Sequence, residues 1–248
     1  MQHNPTYMLP ILCAIGLGLF ILENLIPAHP QKAKAEWYVR ATLVAAFQLL
    51  VFALVESVWG RFFNGTSVLN LDGKVDGVLG AMLAYFIFTF VVYWWHRLRH
   101  KSDFLWRWFH QFHHSPQRIQ VLTAYYMHPF DMMVSLTISN LILFFFLGVS
   151  GEAAAWYTLI TGVAGFIIHS NLNLPRFVGY IFQTPAMHRL HHKQGAHRKN
   201  YSDITWWDMI FGTYENPEVD LGDCGFRDDL EKKWLSLLLG KKYPTNLY

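Results

Sequence analysis

Charge is scarce in this chain of 248 residues. Asp, Glu, Lys and Arg make up 15% of it, against 53% hydrophobic residues. A typical soluble domain carries roughly 25% charged residues, so the deficit excludes an ordinary soluble globule and points into a membrane. The formal charge of +3 comes without a basic stripe, which excludes a nucleic-acid partner. There are two cysteines, Cys13 in an apolar run and Cys224 in a polar tail. They are too few for an iron–sulfur cluster and poorly placed for a disulfide, and a reduced, cytoplasm-facing catalytic part fits. No Gly-rich nucleotide fingerprint, internal repeat or low-complexity segment is present. The first apolar run follows no basic region and ends in no small-x-small site, which argues against a signal peptide.

What is present is a series of apolar runs. Met8–Ile26 spans 19 residues with one charge, Glu23, enough to cross a hydrocarbon core of about 30 Å. Val39–Val58 and Val78–Trp95 are a second and a third span, the third running straight into His96. Met132–Val149 and Ala153–Ile168, joined by a turn at Gly148–Gly151, form a transmembrane hairpin. Loop charge orients them. Lys32 and Lys34 lie between the first two spans with Arg40 just inside the second, the loop before the third is neutral, and 96–130 is strongly basic. By the positive-inside rule the polar segments from 96 and from 169 onward face the cytoplasm. Asp229–Leu239 reads equally as an amphipathic surface helix or as a helix of the cap. The expected fold is therefore all-α and integral to the membrane. It has about five transmembrane helices and a cytosolic helical cap. The length suits one domain, in three stretches: 1–77, 78–217 and 218–248.

The informative residues are histidines. Tyr93–His114 places five in 22 residues: His96 and His100, then His110, His113 and His114. His188, His191 and His192 repeat the second spacing. On a helix, positions i, i+3 and i+4 share a face, and neutral imidazole is the commonest metal ligand near neutral pH. Eight histidines exceed the needs of one ion, so a two-metal site is expected. Each cluster alone has a plainer reading, as an interfacial polar or basic patch. Three together in one membrane chain do not. His128, before Pro129, and His169, at the end of the hairpin, fall at the same interface and are two further candidate ligands. Asp208 is a candidate acceptor for a ligand's second nitrogen. His3, His29 and His197 join no cluster.

In HxxxH (96–100), HxxHH (110–114), HxxHH (188–192) and the tail Trp207-Asp208-Met209-Ile210-Phe211-Gly212-Thr213, the sequence resembles the fatty acid hydroxylase, or sterol desaturase, superfamily of membrane di-iron oxygenases. The resemblance runs from about 85 to 217. It implies two Fe ions, with O2 as co-substrate, and hydroxylation or desaturation of a C–H bond in a membrane lipid. It also implies histidines at positions 128 and 169. Where some members have a further histidine, this chain has Asn173, a candidate for binding through its carbonyl or a water. The spans imply a lipid substrate entering from the bilayer. With no redox domain in the chain, the electron donor is a separate cytochrome b5, ferredoxin or reductase. The membrane is a bacterial inner membrane or the endoplasmic reticulum. Zinc or another metal can replace iron in a purified sample. A histidine-rich metal-binding or transport protein, or a non-catalytic homologue, are the rival readings. The first would place ligands inside the spans, and the second would have lost box histidines; none of the eight is missing.

Overall fold

The computed structural model describes residues 8–30, 35–62, 66–195, 198–218, 223–226 and 228–243. Lys32, Lys34, Asn64, His3 and His197 lie outside the described residues. The described residues are helical, with no strand beyond two isolated bridges. Among the described residues, five helices are long and apolar enough to cross a membrane: α1 (Met8–Leu25), α2 (Ala35–Phe62), α3 (Gly77–Lys101), the segment Pro129–Leu147, and α6 (Gly151–His169). Neither Cys13 nor Cys224 forms a disulfide.

Local chemistry sets the helix starts. Asp76 accepts a hydrogen bond from Leu79 N at 2.8 Å and starts α3. The third span does not stop at Trp95: helix α3 continues through the first histidine pair to Lys101. A short helix α4 (Asp103–Leu105), capped by Ser102, widens into a π-helical turn over Trp106–His110. Pro129 opens α5 (Pro129–Asn140), which continues as a π-helical stretch to Leu147. Gly148, at φ 62°, takes the left-handed conformation that ends this arm. Ser150 then caps α6.

Packing between the spans relies on small residues, as expected where lipid offers no hydrophobic drive. Helix α6 lies between α1 and α3. Ala81 and Ala84 of α3 are fully buried in the contact with Ala153 and Tyr157 of α6. On the other side, a Cβ on Gly162 would come within 2.7 Å of Leu12. Helix α2 packs against α5.

The cap sits on one end of this bundle. It includes α7 (Pro185–His192), α8 (Trp206–Ile210), α9 (Asp228–Glu231) and α10 (Trp234–Leu238). Asp229–Leu239 is thus two short helices. Leu230 and Leu237 pack with Trp37, Trp106, Phe112 and Tyr126 in an aromatic core, while Leu235 and Leu239 are exposed. Glu231 bonds Arg40 of α2 at 2.7 Å and Arg118 at 3.3 Å, which ties the tail to the bundle.

Candidate metal centre

Nine of the ten candidate histidines converge where the bundle meets the cap. They form two groups. His96, His100, His110, His114 and His191 make the first; His113, His169, His188 and His192 make the second. Within each group one ring nitrogen per residue lies within 4.8 Å of all the others. The groups are adjacent: the rings of His114 and His192 stack at 4.1 Å.

The two HxxHH boxes do not point as units. In each, the i and i+4 histidines stay together and the i+3 histidine crosses to the other group. On α7 the reason is angular. At about 100° per residue, His188 and His192 differ by about 40°, while His191 and His192 differ by about 100°. The second box is not on a regular α-helix at all. Its π-helical turn and the following turn at 111–114 present His110 and His114 to one group and His113 to the other. Pro185 and the Thr184 cap set the start of α7, and buried Met187 and Leu190 anchor it.

The outer nitrogens are held individually. His96 Nδ1 donates to Tyr201 O at 2.8 Å, His113 Nδ1 to Tyr126 O at 3.1 Å, His169 Nδ1 to Gly165 O at 2.8 Å and His191 Nδ1 to Lys199 O at 2.7 Å. His188 Nδ1 donates to Gln183 Oε1 at 3.0 Å. Each bond fixes the tautomer and leaves Nε2 as a bare lone pair. Those lone pairs then face one another, with Nε2 to Nε2 distances of 2.9 Å for His188–His169 and 3.3 Å for His169–His113. Two acceptors at this range repel unless a cation lies between them. Nitrogens about 2.1 Å from one ion, at right angles, are about 3 Å apart. The first group shows the same edges, 2.9 Å for His110–His96, 3.0 Å for His114–His110 and 3.2 Å for His191–His114. The residues therefore fit two metal ions.

The protonation state agrees. Burial, above all, holds His110, His113, His188 and His192 well below the usual histidine range. The second largest cause is the Arg99 cation for His110, His169 for both His113 and His188, and His188 for His192. Neutral imidazole is the form a metal requires.

His128 does not join either group. Its Nε2 donates to Leu238 O at 3.0 Å and its Nδ1 accepts from Phe130 N at 3.1 Å, so it caps α5 and tethers α10. Asn173 is exposed in the loop after α6, away from a ligand's role. Asp208 bonds no histidine among the described residues. It accepts from Tyr201 N at 2.8 Å, Ser202 N at 3.0 Å and Thr213 Oγ1 at 2.6 Å, and so holds the peptide whose carbonyl orients His96.

Two charged sites escaped the sequence reading. Asp131, 1% exposed, bonds Arg99, and this pair faces His110 Nδ1, with Asp131 Oδ2 at 3.4 Å and Arg99 Nη1 at 3.0 Å. Glu23 of α1, 2% exposed, accepts from Val121 N at 3.0 Å and from Asn171 N at 2.9 Å. It thereby joins α1 to the segment that follows His113 and to the turn just after His169. The available signal was an acid in or beside an apolar span, where ionisable groups are costly and usually have a specific role.

With this geometry established, comparison with known proteins defines the class. The sequence profile of the fatty acid hydroxylase family matches residues 81–213, and the chain belongs to this family. It is 31% identical over 156 residues to the ornithine lipid hydroxylase OlsE of Rhizobium tropici, covering 60% of this chain and 45% of that one. It is 28% identical over 141 residues to the sphingolipid C4-hydroxylase sur2 of Schizosaccharomyces pombe, covering 55% and 48%. It is 31% identical over 131 residues to the human alkylglycerol monooxygenase, covering 51% and 28%. The chain thus spans less than half the length of these relatives. No solved structure matches it.

Proposed function

We propose that the protein is an O2-dependent di-iron oxidoreductase that hydroxylates, or desaturates, a C–H bond of a membrane lipid. One observation carries this reading: two adjacent groups of imidazoles, four and five strong, whose ring nitrogens converge within 4.8 Å of one another at the end of an apolar bundle. A structural zinc needs about four ligands and a catalytic one about three, whereas redox metals of the first row also accept imidazole-rich sites. Two irons here would supply reductive activation of O2 and removal of hydrogen from an unactivated carbon.

The chain's own part is to hold and shield. His96, His100, His110, His114 and His191 are ligands of one ion; His113, His169, His188 and His192 are ligands of the other. The carbonyls of Tyr201, Tyr126, Gly165 and Lys199, with the Gln183 amide, keep the rings in the metal-binding tautomer. Burial keeps them neutral and excludes water that would quench a strong oxidant. The relatives named above act on lipids by name, and the apolar helices at the site support a lipid substrate reaching it from the bilayer. Electrons come from a separate donor, a cytochrome b5, ferredoxin or reductase. The basic 96–130 segment supports a cytoplasmic site. Purified protein should contain two iron ions per chain and convert lipid extract to a product heavier by one oxygen, or lighter by two hydrogens, only with O2 and reductant. Two ions without any such product would favour a metal-storing membrane protein.

A further inference from the structure

Beside the metal centre, a groove of about 510 Å³ lies between α2 and the segment that carries Phe112, Met127 and Pro129, with Trp234 and Leu238 closing its cap end. The α2 wall is apolar and open to the side: Leu43 is 65% exposed and Phe47 50%. At the rim, Arg40 is paired with Glu231 at 2.7 Å and with Glu36 at 3.7 Å. The groove therefore offers no free charge to an ionic headgroup.

It does offer one polar atom. Gln48 lies two turns past Arg40 on α2, about 12 Å deeper. It lines the groove and is 1% exposed. Its Nε2 donates to Met127 O at 2.6 Å, which fixes the orientation of the amide. Oε1 is then a buried acceptor with no donor among the described residues. The bilayer core supplies no bulk water to satisfy it, and the groove that Gln48 lines is a space from which a donor can come. The floor is also next to the chemistry. Phe112 precedes His113 in the chain and stacks on Tyr126, whose carbonyl holds His113.

We propose that this groove seats the substrate lipid, and that the lipid carries an O–H or amide N–H donor that Gln48 Oε1 accepts. That the occupant is the substrate rests on the function proposed above; the binding site itself does not. Its recognition element lies on α2, outside the residues matched to the family.

The test uses the full chain in phosphatidylcholine nanodiscs and two photoreactive probes of equal length. Each has a mid-chain diazirine; one is an N-alkyl fatty amide and the other the matching fatty ester, which lacks the donor. Labelled peptides are mapped by mass spectrometry. Labelling should fall on α2 between 39 and 48 and on 112–129, with the amide favoured about threefold to tenfold, as expected for one hydrogen bond. Gln48→Leu should bring the amide down to the ester while ester labelling persists. Leu43→Trp, at an exposed position where folding is safe, should reduce both by filling the groove. Labelling elsewhere, no amide preference in the unaltered chain, a preference that survives Gln48→Leu, or full labelling of Leu43→Trp would each overturn the site. Labelling needs neither iron nor turnover. A labelled groove in a protein without oxygenase activity would therefore sink the proposed function and leave the lipid site standing.

Discussion

The two histidine groups sit side by side but are supported differently. The first has five rings and a charged support, the Arg99–Asp131 pair beside His110. The second has four rings: the outer nitrogens of His113, His169 and His188 meet neutral oxygens from Tyr126, Gly165 and Gln183, and His192 Nδ1 has no hydrogen-bond partner among the described residues. Its charged support is one step removed, in Glu23, which grips backbone next to the ligands and never the rings. The Asp131 carboxylate offsets the Arg99 cation, which lies closer to His110 Nδ1 and disfavours charge on that ring, so metal binding at the first position should depend on Asp131 while the second should not.

The most drastic way to separate them uses neighbours in the chain. His191→Ala should remove an ion from the first position, and His192→Ala from the second. Each protein should keep about half its metal by elemental analysis, with turnover abolished in both. If both variants lose all metal, the two positions are not independent. Next in size, Asp131→Asn should weaken metal binding about 10- to 100-fold at the first position only, read by competition with a graded chelator. Equal weakening of both positions would remove the asymmetry argued here.

Glu23→Gln should act on the other side. It loses part of a charge-assisted acceptor for two buried N–H groups, at a cost of about 1–3 kcal/mol. Thermal unfolding should report the loss, and metal should leave the second position before the first. Acid tests what the groups share. His110 and His113, His188 and His192 refuse protons in the fold that they accept when unfolded, with an ordinary value of 6.5. Below that pH the unfolded chain binds more protons, so the metal-free protein should lose stability as pH falls through and below 6.5 and be steady above it. A flat profile from pH 7.5 to 5, in denaturant titrations of the metal-free protein, would show that the rings titrate freely.

Much of this was legible in the sequence. Uninterrupted apolar length marked all five spans, because a bilayer demands about 20 residues of it. The three histidine boxes stand out by spacing alone. His128 misled because its position beside Pro129 suits a helix cap as well as a ligand. Asp131 and Glu23 were hidden for a different reason. Their partners lie 32 residues away at Arg99, and 98 and 148 residues away at Val121 and Asn171, and no local pattern encodes such pairings. The backbone carbonyls that hold the rings have no sequence signature at all.

By itself, then, the sequence marked out the nine histidines that the fold gathers, and set adjacent histidines such as His191 and His192 about 100° apart on their helix. Only the tertiary structure decided the sorting. The end of α3 lies on one side of α7 and the end of α6 on the other, so His191 meets His96 and His114 while His192 meets His113 and His169. Helical spacing sets the directions in which side chains leave one segment. What they meet depends on the close approach of helices far apart in the chain, through contacts such as those of Gly162 and Ala153.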